Sequence, residues 1–366
     1  MESIAEIVAK PELSRRDLIR LLSIISPDDH ETLRAASIET AFMSLGKTVH
    51  FRGLIEFSNH CVNDCFYCGI RAGNQTVERY VLDANQIVAA ARWAGEQGYG
   101  SVVLQSGERR DEQFITMVEQ VISRITAETI TDSMPQGIAI TLSIGEQSAA
   151  DYERFFKAGA HRYLLRIETS SPDLYQQIHP HSQNIQTRLQ CLKDLKRIGY
   201  IVGTGVMIGL PGQTIENLAD DILFFKEIGA NMIGMGPFLP HQHCSIKTVS
   251  NTVTYTPQQA FDLSMLMIAA TRLTMPQVNI AATTALQAVH HDGREQGLMH
   301  GANIIMPNIT PRLVRAQYQL YDNKPCIDED AAQCKGCLTK RLENIGRLVG
   351  WNQWGDPMTE QSKRTS

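Results

Sequence analysis

The sequence predicts an α/β fold: a (β/α)8 TIM-type barrel with an N-terminal helical extension and a C-terminal cysteine-containing extension. Three observations lead there. Eight short apolar runs of strand length alternate with longer amphipathic stretches of helix length, the pattern of βα units around a parallel sheet. Glycine follows several of the helical stretches, where a left-handed residue caps a helix. The 366 residues suffice for one barrel of ~250 residues with additions at both ends. A doubly wound open sheet shares the alternation, but the strand count favours the closed barrel.

Residues 1–48 read as helical. Ser14, followed three residues later by Asp17, resembles a capping box ahead of Leu18, Leu21 and Leu22. The strand-like runs then fall at 50–57, 101–105, 138–143, 162–167, 201–208, 231–235, 278–282 and 302–306. Helical patterns lie between them at 84–97, 112–128, 148–158, 185–198, 215–228 and 257–274. Gly98, Gly159, Gly199 and Gly229 are the expected helix stops. The chain therefore divides into a helical extension (1–48), the barrel (49–306) and a C-terminal extension (307–366).

With 43% hydrophobic and 20% charged residues, the composition is ordinary for a globular protein. It excludes disordered, collagen-like and disulfide-dense classes. A net charge of −5 argues against a nucleic-acid partner, which selects for a basic face. No run approaches the ~20 apolar residues of a membrane span. The first residues, with Glu2 and Glu6, lack a signal-peptide core. The expectation is a cytoplasmic protein.

Six of the eight cysteines form two clusters of three. Clustered thiols without a secretion signal point to metal or redox chemistry. Cys61, Cys65 and Cys68 have C-x3-C-x2-C spacing just after the first strand, at the end of a barrel where active sites lie. Three thiolates on one loop can hold a cubane iron–sulfur cluster and leave its fourth iron open for a ligand. A buried helix face is the bland alternative, and Asn59, His60, Asn63 and Asp64 suit it poorly. Structural zinc is another alternative; it usually needs a fourth protein ligand.

This loop, with Tyr67 before its last cysteine, resembles the signature of the radical S-adenosylmethionine (SAM) superfamily. The resemblance implies a 4Fe-4S cluster whose open iron chelates SAM and reductively cleaves it to a 5′-deoxyadenosyl radical. It also implies a SAM site. Ser106-Gly107-Glu108 would lie near the SAM amino group, Glu168 at the ribose, Arg188 at the carboxylate, and the Gly205–Gly212 segment with Met207 against adenine. Gln105, Ser143 and Arg166 complete the implied SAM-binding set.

Longer segments, among them RGLIEFSNHCVNDCFYCGIR, VVLQSGE, GVMIGLPGQT and QYQLY, resemble the HydE family of FeFe-hydrogenase maturases, in order from about residue 50 to 340. That resemblance implies work on the two-iron part of the hydrogenase active site. The substrate would be an iron–cysteine carbonyl-cyanide synthon from the partner maturase HydG. HydF and a reductant such as ferredoxin or flavodoxin would be further partners. It implies a substrate cavity lined by Thr141, Arg162, Thr283, Thr284, Met306 and Tyr318. The residues add their own argument: Arg162, Leu164, Arg166 and Glu168 share one face of a strand, and charges facing a barrel interior need a ligand or partners. An internal salt-bridge network is the alternative.

Cys326, Cys334 and Cys337 resemble the accessory iron–sulfur site of many HydE proteins, a second cluster of 2Fe-2S or 4Fe-4S type. Structural zinc is again the alternative. Cys191 reads as a core residue, and His241–Cys244 as a polar loop. Two other functions stay open: a methylornithine synthase-like or biotin synthase-like enzyme acting on a small amino acid or thiol, and a non-catalytic iron–sulfur scaffold.

Overall fold

The computed structural model describes residues 2–246, 255–328 and 330–357. Eight parallel strands close into a barrel: β1 (Thr48–Ser58), β2 (Ser101–Ser106), β3 (Ala139–Ser143), β4 (Arg162–Leu164), β5 (Ile201–Thr204), β7 (Met232–Pro237), β8 (Asn279–Ala282) and β9 (Ile304–Ile305). Pairing of β9 with β1, His50 opposite Ile304 and Phe51 opposite Ile305, completes the ring. The short β6 (Met207–Ile208) prolongs the path of β5 and pairs with β7, and β10 (Leu348–Val349) pairs with β1. The strands are buried along most of their length, as expected where helices cover the outer face of a parallel sheet.

The helices follow their sequence signals closely. Helices occupy Ala84–Glu96, Glu112–Glu128, Ala149–Ala158, Ile185–Ile198, Ile215–Glu227 and Pro257–Thr274. The Ser14–Asp17 capping box forms. Gly98, Gly159, Gly199 and Gly229 all have positive φ. Three strand expectations change. The run 302–306 keeps only Ile304–Ile305. The run 162–167 is extended only to Leu164, and the run 201–208 splits at Gly205-Val206. A Cβ on Gly205 would stand 1.8 Å from Gly234 O, so two backbones touch where the path breaks.

Residues beyond the last barrel strand close the N-terminal end of the barrel, opposite the loops that follow the strands. Arg162 donates from Nε to Asp356 Oδ1 at 2.7 Å and from Nη2 to Trp354 O at 2.7 Å. Arg52 donates to Gly355 O at 3.1 Å, and so does Asn279 at 2.9 Å. The Trp354 ring stacks on His161, and its indole N–H reaches Gly137 O. Asp356 thus pairs with Arg162, Arg52 is held beside it through Gly355 O, and burial beside Arg162 pulls the Arg52 pKa down.

Removing one partner of a buried ion pair leaves an uncompensated charge. Asp356→Ala should therefore lower the unfolding free energy by about 3–5 kcal/mol in denaturant titration. Arg162→Met in that background should restore much of the loss.

Candidate active site

After β1 the chain forms no helix until Ala84, so its carbonyls need donors from elsewhere. Arg79 supplies four. Nη1 reaches Asn59 O (2.6 Å) and Ile70 O (2.8 Å), and Nη2 reaches Arg71 O (2.7 Å) and Asn74 O (3.0 Å). The Asn59 amide donates to Glu78 O and Gln317 O and accepts from Tyr80 N. Asp64 accepts from Arg71 and from Gly73 N. The loop is thus held at both ends and across its middle.

It presents Cys61, Cys65 and Cys68 to the barrel interior. Cys61 Sγ accepts from the N–H groups of Asn63 and Glu108, each at 3.4 Å. Cys65 donates to Gln183 Oε1 at 3.4 Å. Gly107 permits the approach, because a Cβ there would lie 2.2 Å from His60 O and 2.8 Å from Cys61 Cβ. Burial pushes all three thiols up, Cys65 to about 12, so metal binding must displace their protons. His60 is exposed and lines an outer hollow with Cys61, Val62, Arg79 and Arg109, whereas Cys65 and Cys68 line the lumen. Among the described residues no three His, Cys, Asp or Glu side chains are grouped to hold a metal ion. The donor set suits a cluster bound by three thiolates better than a lone zinc ion with four protein ligands.

The thiols open on a cavity of about 340 Å3. Tyr67, Gln105, Ser106, Gly107, Glu108, Ser143, Arg166, Glu168, Arg188 and Met207 line it together with the three cysteines. Arg188 donates from Nε to Glu146 Oε1 and from Nη1 to Arg166 O, both at 2.6 Å; neither bond uses Nη2. Glu108 Oε2 accepts from Glu146 N at 2.8 Å, Oε1 pairs with Arg110, and burial raises the Glu108 pKa. Glu168 follows β4 with φ of 67°. Its Oε2 lies 3.0 Å from Arg166 Nη2 in an ion pair that lacks hydrogen-bond geometry, and Arg166 Nε also has no hydrogen-bond partner. Buried polar atoms left open in a cavity are what a polar ligand would satisfy. This wall therefore offers both a cation and an acid with open atoms to a polar ligand that carries an anionic group and hydroxyls.

Across the lumen, Thr283, Thr284, Met306 and Tyr318 line the same cavity. Thr141 and Arg162 do not line it, which corrects the expectation for both. Arg162 opens β4 and pairs in register with Thr141 of β3, below the loops, and Asp356 captures its charge. The salt-bridge alternative describes Arg162. Glu56, Tyr321 and Lys324 are among the lining residues that escaped the sequence reading. Lys324 Nζ pairs with Glu56 Oε1 and donates to Tyr318 O at 2.9 Å, while Asn308 donates to Glu56 Oε2 at 3.0 Å. An acid inside the apolar run of β1 was a usable signal for Glu56, and Tyr321 lies in the QYQLY segment. Nothing in the sequence pairs Lys324 with either.

The C-terminal cysteines lie elsewhere. Cys334 and Cys337 share the helix Ala331–Asn344, one buried in the main core and the other exposed. Cys326 has φ of 63° and lies 3.7 Å from Arg294 Nη2. Cys191 is buried, as expected. His241 and Cys244 are buried too, unlike a plain polar loop; His241 packs over Gly69 of the cysteine loop.

Comparison with known proteins agrees with this geometry. Residues 55–225 match the radical SAM superfamily. The chain is 41% identical to the FeFe hydrogenase maturase subunit HydE of Thermotoga maritima over 352 residues, 96% of each chain. It is 24% identical to 3-methylornithine synthase of Methanosarcina acetivorans over 92% of this chain and 90% of that one. Among solved structures, methylornithine synthase superposes with a TM-score of 0.79 at 23% identity, covering 96% of this chain and 98% of that one. The maturase HydG of Carboxydothermus hydrogenoformans gives 0.78 at 19% identity over 95% and 79%. Both show the shared fold.

Gly107→Ala should push the cysteine loop away from β2. Reconstituted iron content and cluster absorbance should fall at least about threefold, while far-ultraviolet circular dichroism stays unchanged. Gly234→Ala is the control, because a Cβ there meets nothing within 4 Å and iron content should hold.

Proposed function

The chain belongs to the family of the maturase HydE within the radical SAM superfamily, and from that membership we propose that it acts in assembly of the two-iron, dithiolate-bridged subcluster of FeFe-hydrogenase. The proposed substrate is an iron–cysteine carbonyl-cyanide synthon made by HydG, and the product passes on toward HydF. Ferredoxin or flavodoxin is the proposed reductant. The observation that carries this reading is a single lumen with two unlike walls, three thiols at its mouth, and 41% identity to HydE along 96% of the chain.

Cys61, Cys65 and Cys68 would hold the 4Fe-4S cluster, which when bound supplies the electron that cleaves SAM to methionine and a 5′-deoxyadenosyl radical. Arg188 would use Nη2 for the SAM carboxylate, a charge-assisted contact. Glu108 would face the amino group, Glu168 the ribose, and Met207 the adenine. Thr283, Thr284, Tyr318 and Tyr321 would receive the substrate with hydroxyl groups, and Met306 and Leu54 with apolar surface. The closed barrel wall keeps bulk water from a reactive intermediate. Cys326, Cys334 and Cys337 would bind an accessory cluster outside this lumen, with Arg294 beside Cys326 to balance its charge.

Reduced, reconstituted protein should convert SAM to 5′-deoxyadenosine. Replacing Cys61, Cys65 or Cys68 by Ala should cut that product by about a hundredfold or more. Retained cleavage in all three variants would remove the cluster assignment, and cleavage without hydrogenase activation would favour a methylornithine synthase-like reaction.

Gly234 faces open space in the lumen. Gly234→Leu should fill part of the substrate half without meeting the SAM wall. Hydrogenase maturation should drop about tenfold or more while SAM affinity, measured by calorimetry, changes less than about twofold.

A further inference from the structure

Glu168 holds a left-handed backbone, and among the described residues that line the cavity it is the non-glycine residue that does so. Such a conformation costs about 1–3 kcal/mol and persists only where neighbours over-determine it. Several do. Glu168 N donates to Gly205 O at 2.9 Å, and Glu168 O accepts from Met207 N at 3.0 Å. Ile167 N donates to Thr204 Oγ1 at 3.2 Å. On the far side of the turn, Ser170 N donates to Asp221 Oδ1 at 2.6 Å.

Asp221 stands out among these. It lies on the helix Ile215–Glu227 and is fully buried. Its Oδ2 has no hydrogen-bond partner, and no arginine or lysine acts on it. A buried carboxylate with one oxygen idle is expensive. Its contacts go to Ser170, whose backbone N–H it grips two residues past Glu168.

We infer that Asp221 is a positioning residue for SAM binding, acting through Ser170 to fix the turn that aims Glu168 at the nucleoside. The inference rests on the reading of Glu168 as the ribose-binding acid. Asp221 also makes the grip sensitive to pH. Burial raises its pKa to about 7, against the lowering effect of the Ser170 bonds, with the Asp220 charge adding to the rise. Asp220 itself is paired with Arg15 of the helix Arg15–Leu22, and on the turn side Glu168 is paired with Arg166. Above about pH 7 the carboxylate accepts strongly from Ser170 N–H. Below it the neutral acid accepts weakly, and the turn loosens.

The test uses 5′-methylthioadenosine, which carries the adenine and ribose but no amino-acid group that titrates near neutrality. Its affinity for the full-length, cluster-reconstituted protein is measured by calorimetry from about pH 6 to about pH 8.5. Wild-type affinity should rise about 3–10-fold across that range. Asp221→Asn, a mimic of the neutral acid, should bind at the low-pH level throughout. Asp221→Ser serves the same purpose if the Asn variant fails to fold. Thr204→Val, which weakens the same turn at a group that does not titrate, should lower affinity and keep the slope. A wild-type slope retained in the folded Asp221 variants, or no slope in the wild type, overturns the proposal. Glu168→Gln separates the two readings: unchanged affinity there removes the ribose role of Glu168, and the inference about Asp221 falls with it.

Discussion

The guanidinium of Arg79 is the group on which the site depends. A stretch of more than twenty residues that forms neither helix nor long strand cannot satisfy its own carbonyls, and buried carbonyls left without donors are costly. Four of them converge on this one side chain. A guanidinium suits the task because its several donors are fixed in one plane. An amide or an ammonium offers fewer directions. With the loop set, Cys61 meets the Glu108 N–H, Gly107 closes on His60, and the thiols arrive at the mouth of the lumen without further support from regular structure.

The barrel then separates chemistry by angle and by height. Around the ring, β2 through β6 and the loops after them bring acids and arginines, while β8, β9, β1 and the segment 318–324 bring hydroxyl groups, apolar surface and the Glu56–Lys324 pair. Along the axis, Arg52 and Arg162 sit below the cavity with Asp356, so the charges at the floor are spent on the fold itself. Charge facing a barrel interior is therefore of two kinds here, and partners distinguish them: Arg162 has a carboxylate of its own, whereas Arg166 and Glu168 keep open atoms beside each other.

The same division explains what could be read from the sequence. Periods of two and 3.6 locate strands and helices, and glycine marks where helices stop, so the barrel and the order of its strands were legible, whereas strand ends and the short helices Pro172–Ile178 and Gly293–Met299 were not. The cysteine spacing placed the cluster loop, and the implied SAM residues converge as a set. Period two assigns a side chain to the inside of a strand but says nothing of its height, and Thr141 and Arg162 were misplaced for that reason. The partner of Arg162 lies 194 positions away in the sequence. Lys324 and Arg79 were missed on similar grounds, since one pairs across the chain and the other binds backbone, which leaves no trace in residue type.

The plug at the barrel floor also makes the distant C-terminal residues part of the barrel itself. Synthesis delivers Asp356 after every strand of the ring, yet Arg162 of β4 finds its carboxylate there, and Arg52 of β1 donates to the neighbouring Gly355 O. A chain that stopped short of residue 354 would enclose two guanidinium groups without the carboxylate and carbonyls that meet them here, and a buried charge left without its partner is costly. Trimming that end is thus expected to act on the barrel and not only on a tail.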